Sequence, residues 1–339
     1  MSSNVTLKQI AKELGLSAMT VSRAINNKDN VDEKTRERVL AKAKSMGYTP
    51  NHLAKSLVSQ KTYTIGVVIP EISHSFFPEV VRGIEEVTYE KNYQLILTHS
   101  AEKFEREQSA IETLRSKRVD GIMISCSQTT RNNSFYKNLT NIGVPIVFFD
   151  RCIDGIGLSC ITVNDKTGAK QITQHLINHG YKKIAHLRGP QGVSIGKKRF
   201  EGFKEALSEA HLELDEKLVA DTGFQEEGGY EAMKKILELP KEEWPDAVMA
   251  VNDPAAFGAI EAIKEAGLSI PDDIAIVGFS DDIRAELLPV PLTTVQQPAY
   301  EVGKKAAQKL IRLVEDDEEK HENIEVLTEL MIRSSCGCK

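Results

Sequence analysis

A chain of 339 residues is longer than one ordinary hydrophobic core serves, and it predicts two or three domains. Its 41% hydrophobic and 27% charged residues exclude a mostly disordered chain. No apolar run reaches the length of a membrane span and the first residues, MSSNVTLKQIAKE, lack the apolar core of a secretory signal, so the expected location is the cytoplasm. Charge is unevenly divided: residues 1–60 carry +5, which leaves −11 for residues 61–339 of a chain whose total is −6. A basic head suits a polyanion, and an acidic body is pushed away from one.

The first predicted elements are two short helices within Thr6–Ile25, TLKQIAKELGLSAMTVSRAI. Thr6 and Gln9 form a capping box, Leu7, Ile10, Ala11 and Leu14 give an apolar face, and Gly15 makes the break. Leu16 plugs the gap, Ser17 caps the second helix, and Val21, Ala24 and Ile25 continue the apolar set. The outer face then carries Ala18, Met19, Thr20, Ser22, Arg23 and Asn26, short polar groups with one Met and one Arg. That is a helix-turn-helix pattern suited to the DNA major groove. Met19, Ala18, Thr20 and Arg23 are expected at bases or the groove wall, Thr6, Ser17, Ser22 and Asn26 at the phosphates, and Leu7 also at the DNA. A third helix follows the NNKDN loop, capped by Asp32, with Val39, Leu40, Ala43 and Met46 buried and Gly47 and Pro50 ending it.

Asn51–Val58 has room for a helix of two turns, too short to persist alone; it is either a passive linker or a helix that folds on docking. Here VTLKQIAKELGLSAMTVSRAINN, VDEKTRERV and MGYTPNHLAKSL together resemble the head and hinge of the lactose repressor and galactose repressor (LacI/GalR) family of transcription regulators. The resemblance implies that hinge helices of two subunits pair in the minor groove, with Leu57 as the apolar wedge, Ala54 at the helix contact, and Asn51 and Lys55 beside the DNA. The family often has Arg at the Lys55 position.

From Thr64 the pattern alternates short apolar strands (TIGVVIP, QLILTHS, DGIMIS, PIVFFD) with helices near 76–92, 103–117 and 132–142. A second series, KIAHLRG, Leu218–Asp221, DAVMAVN and IAIVGFS, alternates with helices near 166–179, 199–211, 226–238 and 254–266. The expected fold is therefore an all-α helix-turn-helix head on an α/β body of two doubly wound parallel lobes. The resemblance extends from IGVVIPEISHSFFPEVVRGIE to VQQPAYEVGKKA and MIRSS, nearly the whole chain, and makes that body periplasmic-binding-protein-like. The expected divisions are a head at 1–49, a hinge and linker at 50–61, and an effector-binding and dimerisation body at 62–339.

Ligands of such sheets bind at the carboxyl ends of the strands. Asp150, ending VFFDR, either accepts two ligand hydroxyls or caps a turn. The resemblance places Phe76 and Phe77 toward the effector, against packing at a helix start as the alternative, and makes Arg199 of KKRFEGF the fork that holds vicinal hydroxyls or a carboxylate. It also aligns Phe224 with a ring-stacking aromatic, Asn252 with an effector contact, and Ser280 of VGFSDD with a position that often carries a carboxylate, followed by Asp281. Asp253 is expected to cap the following helix.

The five cysteines, without framework spacing, read as free thiols. Cys336 and Cys338 could supply two metal ligands, but no nearby His or Cys completes a tetrahedral set and all eight histidines read as structural or exposed. No cofactor, metal or catalytic motif is expected, and there is no GxGxxG after the first strand. EDDEEKHE from Glu315 reads as a solvated helix end, and with no heptads after it a homodimer is expected. The reading is a repressor of a palindromic DNA operator, switched by a small molecule, a sugar or sugar derivative, or alternatively by a protein corepressor.

Overall fold

In the computed structural model, residues 5–48, 61–130, 133–140, 143–316 and 318–338 are described. They fall into two compact units, Met1–Thr62 and Tyr63–Lys339. The hinge residues Asn51, Ala54, Lys55 and Leu57 lie outside the described residues.

The head has helices α1 (Leu7–Leu14), α2 (Ala18–Ile25) and α3 (Glu33–Ser45). Both bonds of the Thr6–Gln9 capping box form, and Gly15 ends α1 at φ 64°, a conformation in which a side chain would be strained. Ser17 accepts from the Thr20 amide and Asp32 from the Thr35 amide, so each later helix also starts on a side-chain cap. Ile10, Ala11, Val21, Ala24, Val39 and Ala43 form the core, with Leu14, Leu16, Ile25, Met46 and Tyr48 around it. Leu40 does not join them: α3 turns it outward and leaves it 47% exposed.

The body's first lobe is a six-stranded parallel sheet in the order β11-β5-β4-β3-β1-β2. Its strands are β1 (Thr64–Ile69), β2 (Gln94–His99), β3 (Gly121–Ile124), β4 (Ile146–Phe149), β5 (Ser159–Val163) and β11 (Asn323–Val326). Side chains alternate across it: Ile65, Val67 and Ile69 of β1 enter one core and Val68 the opposite one, so both faces are dry. Helices α4 (Phe76–Glu90) and α11 (Ala299–Glu315) pack together, while α5 (Phe104–Ser116) lies against β1 and β2; α6 (Asn133–Thr140) follows β3.

The second lobe is a parallel sheet β7-β6-β8-β9, made of β6 (Ile184–Arg188), β7 (Val219–Asp221), β8 (Ala247–Ala250) and β9 (Ala275–Val277). Helix α7 (Asp165–Asn178) packs on α8 (Ser194–Glu209), and α9 (Glu226–Leu237) on α10 (Asp253–Glu265). Helix α8 begins five residues before the sequence pattern predicts. The antiparallel pair β10 (Thr294–Gln296) and β12 (Glu329–Met331) completes the body. The chain passes between lobes three times, from β5 to α7, from β10 to α11 and from β11 to β12. Three short connections allow one lobe to rotate on the other.

Strands β5 and β11 are outside the four expected in the first lobe: both are short and partly polar, β5 is held between its neighbour β4 and β11, and β11 joins the sheet only through pairing with the distant β5. The expectation of five free thiols is also corrected. Phe148 of β4 pairs with Cys160 of β5, the intervening loop returns beside it, and Cys152 is disulfide-bonded to Cys160; Cys126, Cys336 and Cys338 are free. The acidic run after Glu315 is partly neutralised, since Glu319 and Glu322 both pair with the buried Lys309 and with Arg312.

Helices α4 and α11 meet backbone to backbone. A Cβ on Gly83 would run into the Tyr300 carbonyl, and one on Gly303 into that of Val80. Gly83→Ala is therefore expected to destabilise the body by about 1–3 kcal/mol through enforced separation of the pair. A lowered urea midpoint at unchanged slope checks this. Among the described residues, no helix is long and apolar enough to cross a membrane.

Candidate functional site

Helix α2 carries the expected DNA-facing side chains on its outer side. Ala18, Met19, Arg23 and Asn26 are exposed, Met19 at 64%, and Thr20 and Ser22 partly so. Met19, so open, gains nothing from the head core. Three side chains are already engaged locally: Ser17 Oγ lies 2.8 Å from Thr20 Oγ1, and Asn26 Nδ2 donates to the Ser22 carbonyl at 2.8 Å. Leu7 packs on the head core, so what it offers outward is its amide at the positive end of α1.

In the body, the strand ends of both lobes face one cleft. It is lined by Phe76, Phe77, Asp150, Arg199, Phe224, Asn252 and Ser280, which the sequence reading includes, and by His74, Arg151, Ile195, Pro254, Asp282 and Gln297, which it does not. Asp150 ends β4 with φ 59°, a left-handed conformation uncommon for a residue with a Cβ. Burial pushes its carboxyl up to about 6, with Asp165 adding to the rise and Arg151 and Arg199 opposing it. Its Oδ2 accepts from Ser125 at 3.3 Å.

Across the cleft, Arg199 on α8 donates from Nε to Asp165 at 2.8 Å and from Nη1 to the Val251 carbonyl at 2.8 Å, lying over the Phe279 ring at 3.8 Å. Its Nη2 is buried and has no protein partner, and the same holds for Gln297 Nε2. With Arg151 Nε, 3.6 Å from Asp150 and also without a hydrogen-bond partner, three buried donors and a buried carboxylate in one cleft form a polar set that a hydroxylated or acidic ligand can complete.

Arg151 adds a wall that crosses the lobes. Its Nη1 donates to both oxygens of Glu102 at 2.8 Å, and its guanidinium covers the Phe224 ring at 4.3 Å. Phe224 is therefore covered from one side by a cation of the first lobe. Further links close the cleft: Ser75 donates to Asp282 at 3.0 Å, Gln225 to Glu71 at 3.3 Å, and the Cys152 amide to Ser194 at 3.1 Å.

Three sequence expectations change here. Asn252, not Asp253, caps α10: its Oδ1 accepts the Ala255 amide at 3.0 Å while Nδ2 donates to the Phe224 carbonyl at 2.9 Å. Asp253 is buried instead, accepting the Asp282 amide at 2.7 Å and the Thr294 hydroxyl at 2.6 Å, and burial pushes its carboxyl up to about 6. Asp281 does not line the cleft, because Arg333 at 2.8 Å and Gln296 at 2.9 Å hold its carboxylate. Asp282 takes the cleft position.

This combination of head and body matches two family models, bacterial regulatory proteins of the lacI family over residues 6–51, and periplasmic binding proteins and sugar binding domain of the LacI family over 62–334. The chain belongs to the LacI family. It is 34% identical to the HTH-type transcriptional repressor PurR of Histophilus somni (strain 129Pt) over 97% of this chain and 98% of that one. Among solved structures it is similar to a Lac repressor dimer bound to operator and the anti-inducer ONPF, with TM-score 0.88 and 25% identity over 98% and 99% of the two chains. A second similar structure is the transcriptional regulator CelR–cellobiose complex, with TM-score 0.75 and 29% identity over 98% and 100%. As a LacI-family chain it is a helix-turn-helix transcription regulator with a periplasmic-binding-protein-like body of two parallel-sheet lobes.

One arrangement in the body differs from the sequence expectation. His175 and His179, treated as structural, lie against Cys336 and Cys338, so the expectation that no histidine stands near that pair does not hold. The H-x-x-x-H spacing within TQHLINHG was the available signal.

Proposed function

We propose that this LacI-family regulator represses from a palindromic operator as a cytoplasmic homodimer and is switched by a small molecule, a sugar or sugar derivative, bound between the lobes. The observation that carries the reading is the cleft itself, where Asp150 faces the open donors of Arg199 and Gln297. That set recognises a hydroxylated ring; its role is binding, and turnover of the bound ligand would count against it. The CelR–cellobiose complex supports the ligand class. In the head, Ala18, Met19, Thr20 and Arg23 would meet base edges or the groove wall, and Thr6, Leu7, Ser17, Ser22 and Asn26 the phosphates. Two such heads on a two-fold axis read half-sites about 34 Å apart.

The division into a head at 1–49, a hinge at 50–61 and a body at 62–339 gives the switch its parts. Ligand contacts that favour one lobe arrangement shift the population of dimer states, and with it the spacing of the hinges. Leu57→Ala is expected to weaken operator affinity and bending through loss of the minor-groove wedge. Gel-shift titration checks this, and unchanged affinity and bending would refute the wedge.

The experiment that tests the whole reading is a thermal-shift screen of the full chain against sugars, sugar acids and nucleosides, followed by operator binding with each hit. A sugar that raises the melting temperature and changes operator affinity supports the reading. No hit across the panel counts against it and favours a protein corepressor.

A further inference from the structure

Helix α7 carries His175 in its last turn and His179 at its end, four residues apart and so on one face. The chain returns there about 160 residues later. Ser335 is pinned to the second lobe, donating to the Ile276 carbonyl at 2.6 Å and accepting the Thr293 amide at 2.8 Å. Cys336 closes the short turn Ser334–Cys336, and Gly337 follows at φ 79° with the Tyr181 hydroxyl 2.9 Å from where a Cβ would stand. That turn directs both sulfurs to the histidines.

His175, Cys336 and Cys338 bring three donor atoms within 4.8 Å of one another, and His179 stands beside Cys338 as a fourth. Cys336 Sγ and Cys338 Sγ are 3.1 Å apart, His175 Nε2 is 3.3 Å from each, and His179 Nε2 is 3.0 Å from Cys338 Sγ. His179 Nδ1 lies 2.8 Å from the His175 carbonyl, where only an N–H can sit, so its Nε2 presents a lone pair toward the sulfur. Thr293 Oγ1 lies 3.1 Å from Cys336 Sγ, a hydroxyl able to donate to a thiolate. Cys336 is fully buried, Cys338 and His175 are half-buried and His179 is exposed, so the cluster has a fixed inner wall and an open outer side through which an ion can enter.

We propose that His175, His179, Cys336 and Cys338 bind one Zn²⁺ ion as a structural staple of the second lobe. Two imidazole nitrogens and two thiolates are a closed tetrahedral set for a borderline-soft divalent ion. Around zinc, tetrahedral edges are about 3.8 Å between sulfurs and about 3.5 Å between sulfur and nitrogen. The sulfur–sulfur separation present is about 0.7 Å shorter and the sulfur–nitrogen ones about 0.2–0.5 Å shorter, and rotamer changes of Cys338 and His179 that open these edges also have to bring His179 toward His175 and Cys336. On binding, each thiol gives its proton to solvent as its sulfur bonds the metal, and both imidazoles bond as neutral donors. The staple fastens the chain after β12 to the end of α7, joining segments far apart in sequence, so it stabilises the lobe without touching the cleft residues.

The test uses the full chain without an affinity tag, reduced with a phosphine, stripped with chelator and titrated with Co²⁺. The expected result is one cobalt per chain with the visible bands of tetrahedral cobalt and thiolate-to-cobalt charge transfer, bleached when Zn²⁺ displaces it. Zn²⁺ should raise the melting temperature by about 5 °C. His179→Ala and Cys338→Ser, at the open side, should keep the circular dichroism of the folded chain and lose the tetrahedral bands. Absence of those bands in the reduced, folded wild type overturns the proposal, as does equal cobalt uptake by Cys338→Ser. A Cys336–Cys338 disulfide that persists in the phosphine and excludes cobalt overturns it too.

Discussion

Replacing Arg199 by alanine is expected to abolish the ligand-dependent change in operator affinity and to destabilise the second lobe at the same time. The guanidinium has three separate tasks: Nε holds Asp165, Nη1 satisfies the Val251 carbonyl, and Nη2 is open to the cleft. Loss of the third removes a charge-assisted bond to ligand, worth about 1.5–3 kcal/mol, or roughly 10- to 100-fold in affinity. Loss of the first leaves Asp165 buried without its cation, which costs about 3–5 kcal/mol. Burial already lifts the Asp165 carboxyl above its usual range even with Arg199 beside it. The two effects separate in the double variant Arg199→Ala with Asp165→Asn, where the stranded charge is gone. Its denaturation midpoint should recover part of the loss, while the ligand response should not return. Titration of the double variant with the ligand found by thermal shift decides the matter: a wild-type curve would remove Arg199 from the site.

What sequence could reveal divides by distance along the chain. The head was legible because every signal is local: Thr6 with Gln9, the left-handed Gly15, Ser17 with Thr20, and apolar residues one turn apart. The first four strands of the body were legible for the same reason, as continuous apolar runs that both faces of a parallel sheet require. Strands β5 and β11 were not, since SCITV and NIEV look like loops until they find partners in the sheet. The cleft follows the same rule. Asp150 and Arg199 stand at element ends that pattern reading inspects. Asn252 takes the cap expected of Asp253 because Thr294, some forty residues later, supplies a bond that holds Asp253 inward. Arg151 was passed over beside Asp150 because its partners, Glu102 and Phe224, belong to different lobes. The four His and Cys donors show the limit most plainly, as each pair is visible alone and only the fold brings them together.

Asp150 sets the second large effect, and its direction with pH follows from burial. In the ligand-free cleft the carboxyl is pushed up to about 6, whereas an unfolded aspartate titrates near about 3.9. Ligand hydroxyls that donate to the carboxylate favour its ionised form, so the bound-state value lies below about 6. Binding then releases a proton wherever the pH lies between the two values. Affinity is therefore full well above pH 6 and falls as pH drops through it, by up to about tenfold per unit, until the bound-state value is reached. The ligand-free protein responds in the opposite sense. Its raised carboxyl binds a proton more tightly than the unfolded chain does, so this group costs stability above about 6 and the cost disappears as pH falls toward 3.9. The thermal shift produced by ligand should thus shrink between pH 7 and pH 5 because binding weakens as the ligand-free carboxyl takes up its proton. Asp150→Asn should remove that pH dependence and weaken binding about 100-fold through loss of charge-assisted bonds to two hydroxyls. Isothermal titration at pH 7 and pH 5, for both proteins, measures the two expectations at once. A variant that keeps wild-type affinity at pH 7 would return Asp150 to the turn-capping role.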